Sequence, residues 1–230
     1  MMSSDPPYLS QRCENSMVTP VGVRRKIAAD FRRYAAVKWP NRQADLLRWP
    51  SLLTLLITAR GLRLLLFHRL CYWVSQHSRH NRTMATRLLG LLCLIAEQFM
   101  VISTKAALDW GTPIGPGTYL SNGGHIIIKA DRIGAGCAIQ RDVTIGVDNT
   151  SPERETPNIG ANVWIGANSV IFGGISIGNG ATVLEGSVIS TSVPADCVVG
   201  RNPARVVRRD FDNQRLLAQP EVSSGSHIQV

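Results

Sequence analysis

A histidine and an aspartate in the second half of the chain have the types and spacing of a proton-transfer pair. His125 is the only histidine between residues 108 and 199, and Asp142 follows it seventeen residues later. The ordinary pKa of histidine lies near neutral pH, so an imidazole can take a proton from a hydroxyl group that attacks as a nucleophile. A carboxylate beside that imidazole orients it. The two residues indicate general-base catalysis, provided that the fold brings them together.

The elements that would bring them together are indicated by a repeat of six residues. After residue 108 an aliphatic side chain recurs in thirteen hexads. These side chains are Leu108, Ile114, Leu120, Ile127, Ile133, Ile139, Ile145, Ile159, Ile165, Ile171, Ile177, Val183 and Ile189. A period of six fits neither a helix nor a single strand. It fits a triangular coil of three short strands with tight corners, and the thirteen hexads predict between four and five stacked coils of a parallel β-helix.

Two departures from the repeat are expected to mark function. The interval between Leu120 and Ile127 has seven residues instead of six, which predicts one extra residue in a corner that contains His125. The interval between Ile145 and Ile159 has fourteen, which predicts an extruded loop over residues 147–158. On this pattern the corner with His125 lies one coil from Asp142.

The first half of the chain predicts helices. From residue 25 to about residue 105 apolar residues recur every three or four positions, with breaks expected at Pro40, Pro50 and near Asn81. The predicted organisation is a flexible arm (1–24), an α-helical domain (25–107), the β-helix (108–199), a cap (200–215) and a flexible tail (216–230).

The formal net charge of +9 arises from an excess of Lys and Arg in the first half of the chain. Residues 1–107 contain 16 Lys and Arg against 5 Asp and Glu, whereas residues 108–230 contain 9 against 11. No helix-turn-helix, zinc-finger or RNP pattern accompanies the charge, so no nucleic acid is predicted as a partner. An anionic membrane surface or an acidic partner would use the same charge, and solvated helices would also carry it.

The most apolar stretch, residues 52–67, is interrupted by Arg60 and Arg63, whereas a membrane span needs roughly 20 apolar residues. It is interpreted as a core helix. A peripheral membrane contact is kept as an alternative. It would use an amphipathic face formed by Leu62, Arg63, Leu65, Leu66 and Arg69. Five scattered cysteines fit neither a disulfide framework nor a zinc site, and no signal peptide is evident. A cytoplasmic location is therefore expected.

Taken together, the hexads, the extruded loop and the closing segment over residues 200–209 resemble the hexapeptide-repeat acyltransferases. The stretch over residues 61–70 is similar to the serine acetyltransferase-like branch. The resemblance implies a left-handed parallel β-helix, a homotrimer or a dimer of trimers, and acetyl-CoA as co-substrate in the groove between two β-helices, without a metal. The implied activity is transfer of an acetyl group to a small acceptor, either serine or a serine-like or sugar hydroxyl.

The resemblance also assigns small residues to the cofactor groove. Gly166 and Ala167 match the strand beside the pantetheine arm, where small residues let the cofactor approach the backbone. Glu185 and Gly186 match the corresponding place one coil later.

Further roles are implied at both ends of the cofactor. Arg205 and Arg208 match basic residues that meet the phosphates of coenzyme A, and a guanidinium fork suits a phosphate, although a solvated basic tail would look the same. At the reacting end His125 is the expected base and Asp142 its orienter. A backbone amide near Gly146 is expected to stabilise the oxyanion.

The sequence departs from the family's pattern around the base. The catalytic histidine usually occupies the place of Asn122, as part of an Asp-His pair that would fall on Ser121 and Asn122, and the one-residue insertion is expected to move His125 into that space. Residues 155–157 read Glu-Thr-Pro, where an Arg-His-Pro would be usual. The groups that would hold an amino acid's carboxylate are thus missing or moved, which favours a sugar or other hydroxyl compound as the competing acceptor.

Other functions remain open on the same fold. The main alternative is a catalytically inactive β-helix scaffold or regulatory protein, either with or without coenzyme A binding. A γ-type carbonic anhydrase needs three histidines for zinc, and this repeat region has one. Acyl-carrier-protein and nucleotide-sugar acyltransferases rank lower, because the best-known acyl-carrier types place their helices after the repeats.

Overall fold

The computed structural model describes residues 20–40, 49–80, 84–148 and 155–220. Within these residues four helices come first: α1 (Pro20–Lys38), α2 (Trp49–Thr58), α3 (Arg60–His80) and α4 (Met84–Thr104). Helix α1 begins inside the segment predicted as an arm and ends before Pro40. Pro50, which was expected to break a helix, lies in the first turn of α2, where a missing N–H removes no hydrogen bond. The rest of the predicted arm, the region around Asn81, the centre of the extruded loop and the last ten residues lie outside the described residues.

Fourteen short strands and one further helix follow the four helices. The strands are β1 (Ala106–Leu108), β2 (Tyr119–Leu120), β3 (Ile126–Ile128), β4 (Arg132–Ile133), β5 (Ala138–Ile139), β6 (Val143–Gly146), β7 (Asn158–Ile159), β8 (Trp164–Ile165), β9 (Val170–Phe172), β10 (Ser176–Ile177), β11 (Thr182–Val183), β12 (Val188–Ile189), β13 (Val198–Gly200) and β14 (Arg205–Arg208). The last helix is α5 (Gln214–Ala218).

The strands form the three sides of a β-helix. Sheet 1 has the order β1-β3-β6-β9-β12, sheet 2 the order β4-β7-β10, and sheet 3 the order β2-β5-β8-β11-β13-β14. All neighbours pair in parallel except β13 and β14. Bridges from Ile114 to Ile133 and from Ile177 to Val193 extend sheet 2 at both ends. Every sheet therefore has one segment in each of five coils, and the hexad aliphatics stack inside.

One predicted core residue is wrong. Ile127 is 47 % exposed, whereas Ile126 and Ile128 are buried. The register pairs Leu108 with Ile128 and Ile128 with Ile145, so Ile128 is the residue of this coil that points into the core. The corner after Leu120 thus holds two extra residues, and the next corner holds one fewer.

A buried ion pair joins the helical half to the first coil. Arg69 of α3 donates to both carboxylate oxygens of Asp30 in α1, at 3.2 and 3.4 Å, and the two side chains are almost fully buried. Arg69 also donates to the carbonyls of Ile114 and Gly115. Asp30 accepts the N–H of Gly117 at 2.9 Å. Both side chains of the ion pair therefore also bond to the backbone of one corner of the first coil, at residues 114–117.

A second contact lies beside Leu120. The Tyr34 hydroxyl donates to the carbonyl of Leu120 at 2.8 Å and accepts its N–H at 2.9 Å. The backbone of α3 approaches so closely that a Cβ on Gly61 would lie 2.0 Å from the same carbonyl oxygen. Only glycine allows this approach.

The C-terminal strap, residues 209–220, runs back along the corner between sheets 2 and 3. Phe211 N–H donates to Asp196 O in the fifth coil. The Asn213 amide donates to Gly180 O in the fourth coil at 3.0 Å and to Asn162 O in the third at 2.9 Å.

The far end of the strap reaches the beginning of the fold. Arg33 of α1 donates to Leu217 O, and the side chain of Gln140 in the second coil donates to Pro220 O. The strap therefore contacts four coils and the helical half. Within the described part of the chain, no helix is both long enough and apolar enough to cross a membrane.

Candidate active site

His125 and Asp142 meet at the corner between sheets 3 and 1. His125 precedes β3 and Asp142 precedes β6, and those strands are neighbours in sheet 1. The imidazole Nδ1 lies 3.6 Å from Asp142 Oδ1, and the same oxygen accepts the backbone N–H of His125 at 2.9 Å. The first distance is that of an ion pair rather than a hydrogen bond. Asp142 thus holds the backbone of His125 directly and places a carboxylate beside its ring.

The conformation of this corner depends on small and left-handed residues. Gly124 has φ +72° and Asp142 has φ +57°. A Cβ on Gly124 would lie 2.6 Å from the carboxylate of Asp142. Gly124 therefore provides both the turn and the space in which Asp142 approaches His125.

The same corner recurs in the following coils and forms a straight edge. Asn168 N–H donates to Arg141 O, and Gly186 N–H donates to Ala167 O at 2.8 Å. We call the line through residues 125, 142, 167–168 and 185–186 the catalytic edge. Successive coils are about 4.8 Å apart. The structure thus brings Ala167, Glu185 and Gly186 into line with His125 and Asp142.

The predicted phosphate-binding arginines are both exposed, but only Arg205 lies at the far end of this edge. Gly200 pairs with Arg205, and Val198 pairs with Arg208. The Arg208 guanidinium lies 5.5 Å from the ring centroid of Phe211. Since Gly200 follows the residue paired with Val183, Arg205 stands two strand spacings beyond the corner with Glu185. Arg208 lies at the opposite end of the hairpin.

Gly146 does not join the catalytic edge. It ends β6, where it pairs with Phe172, and it is four residues beyond Asp142 along the strand. At about 3.3 Å per residue this separation is about 13 Å. The amide of Gly146 is too far away to donate to an oxyanion at His125 of the same chain.

Gly166 is small for a different reason from the one predicted. A Cβ on Gly166 would lie 2.6 Å from Glu185 N and 2.8 Å from Leu184 C. The glycine is therefore required by the stacking of the fourth coil on the third. Its size gives no independent evidence of a cofactor arm.

Asn122 has a structural contact in the corner before His125. Its Oδ1 accepts the N–H of Gly61 at 3.2 Å and so caps the first turn of α3. Asn122 also borders a cleft of about 270 Å³ between α1, α2 and the first coil, together with Tyr34, Lys38 and Thr58. This cleft is the concave surface next to the corner that carries His125.

Two cations on the catalytic edge were not identified from the sequence. Lys105 precedes Ala106, which pairs with Ile126, so it lies beside His125 in the first coil, and it is exposed. Arg201 is exposed in the fifth coil, where its carbonyl accepts the N–H of Val188. Counting residues along the strand register, toward both ends of the repeat, would have placed Lys105 and Arg201 on the catalytic edge. Among the described residues, no group of three or more His, Cys, Asp or Glu side chains is placed to hold a metal ion.

Comparisons with known sequences agree with the repeat. The family model of the bacterial transferase hexapeptide (six repeats) matches residues 156–191. A serine acetyltransferase of Synechococcus elongatus is 29 % identical over 158 residues, which are 68 % of this chain and 61 % of the relative. Serine acetyltransferase 2 of Arabidopsis thaliana is 34 % identical over 143 residues, which are 62 % of this chain and 43 % of the relative. The chain spans less than two thirds of the length of both relatives.

Solved structures share the fold. The soybean serine acetyltransferase apoenzyme is 27 % identical, with a TM-score of 0.66 that covers 84 % of this chain and 72 % of the soybean chain. A serine acetyltransferase from Brucella abortus strain S19, solved in complex with coenzyme A, has a TM-score of 0.66 at 19 % identity and covers 88 % and 74 % of the two chains. The predicted left-handed β-helix after an α-helical region is confirmed. In sequence and in fold, this chain contains hexapeptide repeats and is similar to the serine acetyltransferases.

Proposed function

We propose that this protein is an acetyl-CoA-dependent O-acetyltransferase with His125 as its general base. The observation that carries the proposal is the catalytic edge, which has an imidazole and carboxylate at one end and Arg201 and Arg205 at the other. Four to five coil spacings of about 4.8 Å separate the two ends, which suits a long ligand with phosphates at one end and a thioester at the other. The relatives named serine acetyltransferases support the same reaction class.

The proposed reaction needs one proton carrier. With Nδ1 facing Asp142, Nε2 of His125 is the nitrogen that takes the proton of the acceptor hydroxyl. The acceptor oxygen bonds to the thioester carbonyl carbon, and collapse of the tetrahedral intermediate breaks the C–S bond. The imidazolium returns its proton to the leaving thiolate, so the products are the acetyl ester and coenzyme A. Asp142, whose Oδ1 lies 3.6 Å from Nδ1, orients the imidazole during these steps.

The assembly is proposed to be a homotrimer or a dimer of trimers. The side chain of His125 is 63 % exposed, so one chain alone leaves the base in bulk water. A neighbouring β-helix along the catalytic edge would form the second wall of a groove and exclude water from the thioester. Light scattering on the purified protein would give the mass of the assembly.

The acceptor is proposed to be a small hydroxyl compound, either serine or a serine-like or sugar hydroxyl. One solved structure of a similar fold is a serine acetyltransferase in complex with serine. In this chain the cleft beside Asn122 offers the ammonium group of Lys38 and, hydrogen-bonded to it, the hydroxyl group of Thr58. These groups suit a polar acceptor, and the lysine favours one with a carboxylate or another anionic group.

Thiol release from acetyl-CoA tests the proposal directly. Wild-type protein is assayed with L-serine, homoserine, simple sugars and nucleotide sugars, and coenzyme A is titrated by calorimetry. We expect turnover with one acceptor class. His125→Ala should lower the turnover about a hundredfold or more while the affinity for coenzyme A stays nearly unchanged. His77→Ala, a histidine change in α3 away from the edge, should leave both values unchanged.

The second candidate function is an inactive β-helix scaffold or regulator, with or without coenzyme A binding. The observation in its favour is that Asn122, at the usual place of the catalytic histidine, is used to cap α3. Equal turnover in wild type and His125→Ala would remove His125 from the mechanism. Absence of both turnover and coenzyme A binding would favour the scaffold.

A further inference from the structure

Helix α4 has a large apolar face that nothing in the described chain covers. Its exposed side chains are Met84, Leu88, Leu91, Leu92, Leu94, Ile95, Phe99 and Ile102. Their exposed fractions range from 51 % at Leu94 to 80 % at Met84. A patch of this kind exceeds the isolated apolar residues of an ordinary surface and marks an interaction site.

The opposite side of α4 already has its partner. Cys93 is buried with Cys71 and Val74 of α3, and Leu89 packs against the same cluster. The exposed face of α4 is therefore different from the face that packs against α3. The helix has two charged residues along its whole length, Arg87 and Glu97, so it does not have the charged outer face of a solvated helix.

The net charge of the helical half favours one kind of partner. Residues 20–40, 49–80 and 84–107, the described helical part, contain 12 Lys and Arg against 2 Asp and Glu. A second copy bound through this face would bring two such positively charged halves together, and like charges oppose that contact. An anionic lipid surface is complementary to both the apolar face of α4 and the net positive charge of the helical half.

We propose that α4 lies in the plane of an anionic membrane, with its apolar face inserted at the boundary between headgroups and acyl chains. The helix binds the surface without crossing it, in keeping with the absence of a membrane-spanning helix among the described residues. The basic residues of the helical half then contact the lipid headgroups. The inference concerns a surface other than the catalytic edge and stands independently of the proposed reaction.

Vesicle sedimentation with the full chain tests this inference. The vesicles are phosphatidylcholine alone, or phosphatidylcholine mixed with phosphatidylglycerol. We expect binding to the anionic vesicles that weakens with added salt, and little binding to the neutral ones. The double variant Ile95→Gln/Phe99→Gln should lower partitioning about tenfold or more, because two inserted side chains lose their apolar burial.

A matched control removes two exposed apolar side chains from the β-helix. Ile127→Gln/Val206→Gln changes residues that are 47 % and 40 % exposed, and it should partition like wild type. Circular dichroism and thermal melting verify that both variants are folded. Wild type that binds neither vesicle, or binds both equally, overturns the inference. So does a lower assembly mass for Ile95→Gln/Phe99→Gln in light scattering, because the face would then be a protein interface.

Discussion

His68 of α3 is a titratable side chain that lies almost entirely out of contact with water. It is 2 % exposed, and Nε2 donates to the carbonyl of Asp109 at 3.1 Å. Burial lowers the pKa of His68 to about 4, and the nearby Arg69 adds to the effect because a neighbouring cation disfavours the imidazolium. The residue is therefore neutral in the folded protein at pH 7.

This environment predicts a loss of stability in mild acid. The pKa is about 6.5 in the unfolded chain and about 4 in the folded one, so the unfolded chain binds the proton first as the pH falls. The stability is fully present above pH 6.5 and is lost progressively toward pH 4. About 2 kcal/mol of unfolding free energy should disappear between pH 7 and pH 5 from this residue. Urea unfolding at the two pH values measures it.

The matched variants are His68→Gln and His77→Gln. His68→Gln keeps a donor for Asp109 but cannot be protonated, so its stability should fall less between pH 7 and pH 5. His77→Gln should fall as much as wild type. An equal fall in all three proteins would show that other groups control the acid sensitivity.

The corner before His125 shows why single residues were harder to place than the repeat. Residues 126–128 are three consecutive isoleucines, and alternation along a strand allows either the middle one or the outer two to face the core. The path of the corner decides between them, through Gly124 and the hydrogen bond from His125 N–H to Asp142. The glycine and the hydrogen bond both involve Asp142, which belongs to the next coil. The sequence therefore predicted the pairing of His125 with Asp142 but placed Ile127 wrongly.

At the scale of elements, the ion pair between Asp30 and Arg69 fixes α1 and α3 on the first coil. Burial raises the pKa of Asp30, while Arg69 and the N–H of Gly117 oppose that rise. Removing one partner leaves the other charge buried without compensation. The orientation of the helical half thus depends on both residues.

Arg69→Met should lower the free energy of unfolding by about 3 to 5 kcal/mol. Asp30→Leu/Arg69→Met should recover much of this loss, since no isolated charge remains. Arg32→Met, at an exposed position of α1, should change stability by less than about 0.5 kcal/mol. Urea unfolding of the four proteins decides the matter, and a double variant as unstable as Arg69→Met would contradict the explanation.

The helices were predicted from their periodicity, but the boundary between α2 and α3 was not. The break between α2 and α3 at Ala59 has no proline or capping signal in the sequence. It coincides with the docking of Gly61 on Leu120 and the cap from Asn122, which are contacts across about sixty residues. Local patterns predict elements, whereas contacts of this kind decide where adjacent helices separate.

At the scale of the molecule, Asn213 is the polar centre of the C-terminal strap. It is 4 % exposed, and its amide bridges the third and fourth coils. Asn213→Ala should lower the free energy of unfolding by about 1 to 3 kcal/mol, since buried carbonyls lose their donor. Hydrogen exchange should accelerate most in the fifth coil. Gln214→Ala, at an exposed neighbour, is the control, and equal exchange in the two variants would contradict the bridging role.

The hexads predicted between four and five coils, because a fixed period also fixes the register. That register placed Asp142 one coil from His125, and the family resemblance placed Glu185 one coil from Ala167. The repeat did not indicate that Gly146 would lie at the opposite end of β6 from Asp142. The strap was not predicted either, since its contacts join residue 213 to carbonyls that any sequence would offer.

The strap also changes how the whole molecule can come apart. A stack of coils that touch only their neighbours opens from its free end like a zipper, one coil at a time. Here the last coil is tied through the strap to the second coil and to α1, at the other end of the stack. The last coil therefore cannot separate from the stack unless the strap is also released from the second coil and from α1. The protein should melt in a single cooperative transition and resist proteases that attack frayed ends.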